Sequence, residues 1–124
     1  MKVLTLDYGS ARTGVAVSDP TGTVARPVGV VSRVNERKGF DELVALVREE
    51  QPELVVVGMP LTLRGEEGEQ ARETTAFVER LRAAVETRVD IWDERFTSVL
   101  AGGDDAKAAA HLLSSFLAWR AEHS

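Results

Sequence analysis

The sequence predicts an α/β protein, a mixed five-stranded sheet with elements in the order βββ-α-β-α-β-α and helices on both faces. Three observations carry this. Three short apolar runs open the chain, joined by links too short for parallel crossovers, so they read as an antiparallel meander. A continuous β-branched run, Leu54 to Gly58, marks a strand buried on both faces. The segments before and after that run carry apolar residues at helical spacing.

In order, Val3 to Tyr8 is the first run, and it ends in Asp7-Tyr8-Gly9. Thr13 to Ser18 is the second. Val24 to Ser32 is the third, set off by the turn signal Asp19-Pro20-Thr21-Gly22. From Phe40 the period changes, and Phe40, Leu43, Val44, Leu46 and Val47 fit one helix face, which stops before Gln51-Pro52. After the strand at Leu54, Pro60 to Gly68 reads as a loop. Ala71, Thr74, Phe77, Val78, Leu81 and Val85 form the stripe of a second helix. Arg88 to Trp92 is the fifth strand, and Ala109, Leu112, Leu113, Phe116 and Leu117 line the last helix. The connections make the first strand central, with the fourth and fifth parallel to it.

The 124 residues fit one domain spanning 1–124 with its own core. With no cysteine, disulfide scaffolds and thiolate zinc sites are excluded. No apolar run is long enough to span a bilayer, and Asp7 comes too early for a signal peptide, so a cytoplasmic protein is expected. The net charge is −5, unevenly placed. Residues 1 to 39 carry six basic and three acidic side chains, whereas residues 40 to 124 carry nine and seventeen. Local charge therefore says more about partners than the average does.

Most carboxylates belong to solvated faces, and Glu42, Glu49, Glu50, Glu73, Glu79 and Glu86 are assigned to exposed helix faces without a function. Three acidic positions differ. Asp7 closes the first strand, Glu94 follows the fifth in Trp92-Asp93-Glu94-Arg95, and Asp105 heads the apolar stripe of the last helix. Singly, each also fits a plainer role as a turn residue, a surface ion-pair partner or a helix cap. Together they fall at one sheet edge, outside the carboxyl ends of parallel strands, where ligands collect. Converging carboxylates repel unless a cation neutralises them, and a hard divalent ion, Mg²⁺ or Mn²⁺, suits oxygen donors and a phosphate substrate.

Two segments are specific: Leu6-Asp7-Tyr8-Gly9-Ser10-Ala11-Arg12-Thr13-Gly14-Val15-Ala16-Val17-Ser18-Asp19 and Trp92-Asp93-Glu94-Arg95-Phe96-Thr97-Ser98. With Val56-Val57-Gly58-Met59-Pro60-Leu61, the Gly65-Glu66-Glu67-Gly68 loop and the spacing from Asp105 to Leu113, they closely resemble the YqgF (RuvX) family over nearly the whole chain. That resemblance implies a ribonuclease H-like fold and a metal-dependent nuclease acting on structured RNA or DNA. It implies Asp7, Glu94 and Asp105 as catalytic metal ligands and Arg12 and Arg95 as nucleic-acid contacts. Two Mg²⁺ or Mn²⁺ ions about 3.5 to 4 Å apart would bind the scissile phosphate. Asp93 and Asp104 stand as alternatives to their neighbours.

The expected substrate is the 5′ end of pre-16S rRNA, in ribosome biogenesis. The alternative is a four-way DNA junction, as for a Holliday junction resolvase, and a further one is a non-catalytic RNA-binding assembly factor. The Asp7-x-Gly9 hairpin is also similar to the phosphate hairpin of the actin and sugar-kinase superfamily, but this chain has no room for the second lobe such enzymes need. His111 and His123 are given no catalytic role, and Trp92 and Trp119 are read as packing residues. No oligomeric state is legible. One departure stands out: between Thr97 and Asp105, where the family carries a longer Lys/Arg-rich segment, this chain has only Ser98 to Asp104. The expectation is that a basic loop intervenes in the native chain, so that some Cα step from Ser98 to Asp105 exceeds the 3.8 Å or so of a trans peptide.

Overall fold

In a computed structural model, residues 1–59, 68–93 and 105–123 are described. The elements are β1 (Val3–Asp7), β2 (Arg12–Ser18), β3 (Ala25–Ser32), α1 (Arg37–Glu50), β4 (Leu54–Met59), α2 (Glu69–Ala84), β5 (Arg88–Asp93) and α3 (Asp105–His123). The sheet order is β3-β2-β1-β4-β5, with β1 central, β1 to β3 antiparallel, and β4 and β5 parallel to β1. The expected fold class and sheet direction therefore hold. The loop expected over 60–68 lies, apart from Gly68, outside the described residues.

Strand alternation sends the two halves of each strand to different cores. Leu4, Leu6, Val15, Val17, Val55, Val57 and Val89 face α1 and α2, meeting Leu43, Val47, Phe77, Val78 and Leu81. Val3, Ala16, Leu54, Val56 and Trp92 face α3, meeting Ala109, Leu112, Leu113, Phe116 and Leu117. Val55, Val56 and Val57 are all fully buried, which is why that run carries no polar alternation.

Several boundaries move. α1 starts at Arg37, three residues before the apolar period, because its first turn abuts the end of β3 through Gly39. A Cβ there would lie 2.2 Å from the Arg33 carbonyl oxygen and 2.3 Å from that of Ser32. Val85 caps α2 rather than lying within it, and Glu86 falls beyond the helix. Glu50 is not a free surface carboxylate, since Lys2 Nζ sits 3.1 Å from its Oε1. Trp92 packs as expected, but Trp119 is 44% exposed, stacked on His123 with ring centroids 4.6 Å apart. The turn at Asp19 forms around its carboxylate, which accepts the Thr23 and Val24 amides at 2.8 and 2.9 Å and the Thr21 hydroxyl. Those bonds hold its pKa well below the usual carboxylate range. Among the described residues, no helix is long and apolar enough to cross a membrane.

Candidate active site

Because β1, β4 and β5 are parallel, their carboxyl ends share one edge. Asp7 is the last residue of β1 and is half-buried. Its direction follows from its neighbours. Val3 packs against the α3 side, and the Thr5 hydroxyl donates to the Ala109 carbonyl at 2.9 Å, so alternation turns Asp7 toward α3 as well. In its row Asp7 pairs with Gly14 of β2. The β1–β4 register, carried one step past Leu6 and Val57, sets Gly58 on its other side. Two residues without side chains, both buried, therefore flank this carboxylate. The roles of Gly14 and Gly58 escaped the reading of the sequence, although glycine inside a strand signals such close approach.

The direction of α3 decides where Asp105 lies. Thr5 meets Ala109, while Arg120 near the other end of the helix donates to Met1 Sδ at 3.7 Å, so α3 runs antiparallel to β1. Asp105 opens α3, about 6 Å along the helix from Ala109. Asp7 lies about 6.6 Å along the strand from Thr5, in the same direction. Their backbones are thus level at the carboxyl edge. The side chain of Asp105 lies outside the described residues, as do Glu94, Arg95 and Asp104. The expected meeting of three carboxyls and the expected Cα step between Ser98 and Asp105 fall there too. Among the described residues, no three His, Asp or Glu side chains form a metal-holding group.

Asp93, kept as an alternative to Glu94, ends β5. Trp92 packs edge-on against Phe116 of α3, with ring centroids 5.8 Å apart. Alternation then turns Asp93 to the opposite face from Asp7, which weighs against a ligand shared by the two.

Arg12 opens β2 at the same edge, exposed and paired with Ser32 of β3. Together with the hairpin residues Gly9 to Ala11 and with Glu69, Gln70 and Glu73 of α2, it borders a groove of about 570 Å³. The two glutamates make that groove a poor phosphate cradle on their own. The hairpin is tightly tied, because a Cβ on Gly9 would lie 2.4 Å from the Arg12 carbonyl oxygen, and the Thr13 hydroxyl donates to the Gly9 carbonyl at 3.2 Å. Tyr8 turns away from α3. Its hydroxyl donates to Asn35 Oδ1 at 2.9 Å and its ring lies 4.9 Å from that of Phe77. Burial pushes the Tyr8 phenol pKa up, partly opposed by the Asn35 bond. Tyr8 therefore anchors the strand end while its neighbour Asp7 faces the α3 side.

Known proteins place this architecture. A model of the family described as "RuvX: Holliday junction resolvase" matches residues 1–106. A protein of Sulfurihydrogenibium sp. (strain YO3AOP1) named "Putative pre-16S rRNA nuclease" is 46% identical over 102 residues, covering 81% of this chain and 69% of its own. One of the same name from Rubrobacter xylanophilus is 45% identical over 130 positions, covering 94% of this chain and 91% of its own. Since 94% of 124 residues is about 117, about 13 of those aligned positions have no counterpart here. Among solved structures, T. thermophilus RuvC in complex with Holliday junction substrate superposes with a TM-score of 0.61 at 17% identity, over 98% of this chain and 96% of that one. At that identity the likeness is one of fold, and it matches the ribonuclease H-like architecture. With the family match extending from β1 into the first turn of α3, the chain belongs to the RuvX family.

Proposed function

We propose that the chain, acting as one unit over residues 1–124, is a nuclease that hydrolyses phosphodiester bonds in structured RNA at the 5′ end of the 16S rRNA precursor. Membership of the RuvX family and the names of its relatives support this reading. The observation that carries it to a site is Asp7, half-buried at the carboxyl edge and flanked by Gly14 and Gly58. In this reading Asp7, Glu94 and Asp105 are the ligands, an all-oxygen set that suits Mg²⁺ or Mn²⁺. When bound, such a pair of ions would activate a water and neutralise charge on the leaving oxygen. Asp7 supplies a fixed negative charge from a strand end whose position is held by the buried Tyr8 on the opposite face. In the same reading Arg12, at this edge, and Arg95 orient the phosphate. The products are a 5′-phosphate and a 3′-hydroxyl.

The family's own description favours a second substrate, the four-way DNA junction. The test is incubation of the purified protein with Mn²⁺ and three substrates: the pre-16S 5′ precursor, an unstructured RNA and a four-way junction. Cleavage of the precursor in preference to the others, lost in Asp7→Asn with the melting temperature retained, is the expected result. The amide keeps the shape of the carboxylate and removes the charge. Binding of RNA without cleavage by the wild type would instead make the chain a non-catalytic assembly factor, and preferential cutting of the junction would make it a resolvase.

A further inference from the structure

We infer that the corner where β3 meets α1 is the surface that grips the RNA strand leaving the active edge. Arg12, Arg33, Arg37 and Lys38 would be its phosphate contacts. This rests on the nuclease reading above and adds to it where the substrate lies.

The sheet order brings these residues together. Arg12 pairs with Ser32, and the amide of the next residue, Arg33, donates to the Ala11 carbonyl at 2.9 Å. The first turn of α1 presses on Ser32 and Arg33 through Gly39, which brings Arg37 and Lys38 to the same corner. Ser32, Arg33, Glu36, Lys38, Gly39 and Glu42 border a groove of about 550 Å³ there. Val30 of β3 shares the row of Asp7 and Gly14, so Arg33 lies about 10 Å across the sheet and about 10 Å further along it, about 14 Å from Asp7 in all. Asp7 faces α3 while α1 packs on the other face, so a strand held at Asp7 passes over the end of the sheet by Arg12 and then Arg33 to reach the α1 turn.

These four are among the six basic side chains that precede residue 40, the positively charged part of an acidic protein. Two of them are held loosely by nearby carboxylates. Arg33 Nε lies 3.8 Å from Glu36 Oε2 and Arg37 Nε lies 3.9 Å from Asp41 Oδ2, with the arginine side chains 75% and 96% exposed. Pairs this exposed contribute little and yield readily to a phosphate. Glu42 also lines the groove, so the surface is a track for a backbone carrying many charges rather than a pocket for a single anion. Arg37 and Lys38 sit in the first turn of α1, where cations oppose the helix macrodipole. Between Arg95 and Lys107 the sequence holds no Lys or Arg, so this stretch as it stands offers no phosphate contact.

The test measures binding of labelled pre-16S 5′ precursor RNA at several salt concentrations, in an Asp7→Asn background that prevents cleavage. The variant is Arg33→Asn, Arg37→Gln and Lys38→Gln together. Asn tolerates the positive φ of 50° at position 33, and the other two sites are exposed, so the fold is kept. The expected result is about tenfold or more weaker binding at low salt, with a slope of log affinity against log salt shallower by about 2 to 3. Arg88→Gln, at the opposite edge of the sheet, should leave both unchanged. Unaltered affinity and slope in the triple variant, while the precursor is bound, overturn the inference and leave the nuclease reading intact. If the parent protein neither binds nor cuts RNA, that reading falls and takes the inference with it. Tighter, corner-dependent binding of a four-way DNA junction overturns the assignment to RNA.

Discussion

Asp7 owes its prominence to what its neighbours lack. Gly14 beside it and Gly58 on the adjoining strand add no side chain to its row, and both are buried, so that a methyl group there is a larger change than its volume suggests. Gly58→Ala is expected to keep the melting temperature within a few degrees while raising the Mn²⁺ concentration for half-maximal cleavage by about tenfold. Titration of activity against Mn²⁺ checks this, and an unchanged midpoint would show that the slot is not used. Asp7 was legible from the sequence because it closes an apolar run two residues before Gly9 and falls, with Glu94 and Asp105, at one expected sheet edge. The two flanking glycines were not, because their meaning depends on register, which no single strand contains. Between Asp93 and Glu94 the sequence offers no choice, whereas the packing of Trp92 on Phe116 sends Asp93 to the far face.

Elements were legible wherever apolar spacing and burial coincide. The Leu54 run reads as a strand because both of its faces are covered. The start of α1 was missed by one turn because Arg37 and Lys38 point into solvent and Gly39 is a poor helix former, so the apolar period begins only at Phe40. That glycine is there for packing. Gly39→Ala would press a methyl group into the Ser32 and Arg33 carbonyls, and is expected to destabilise the protein by about 1–3 kcal/mol, although alanine is the better helix former. Thermal or urea denaturation of the variant measures it. A gain in stability would mean that α1 can back away from β3 without loss.

For the molecule as a whole, the order of elements and the lengths of their links sufficed for the sheet, since short links force antiparallel neighbours and helical ones allow parallel strands. The charge balance was legible too, but its use was not, because the basic first third of the chain becomes a surface only once β3 and α1 are folded together. A ligand that binds only the native state raises its stability by mass action. Saturating Mn²⁺ is therefore expected to raise the melting temperature of the wild type by several degrees, and to have little effect on Asp7→Asn. Equal shifts in both proteins would place the ion elsewhere.

The hydrogen bond from Thr5 to the Ala109 carbonyl joins residues 104 positions apart. During synthesis the meander and the parallel strands emerge first, and the apolar face of Val3, Ala16, Leu54, Val56 and Trp92 waits for the helix that covers it. At roughly 5–20 residues per second, the 19 residues of α3 take about one to four seconds to make. Through that interval the nascent chain presents a sticky, half-covered sheet, a form that invites chaperones. Asp105 arrives with the same helix, so the proposed carboxylate set is incomplete until the cover is in place. A nuclease directed at ribosomal RNA would thus be built on the ribosome in a form that cannot yet cut.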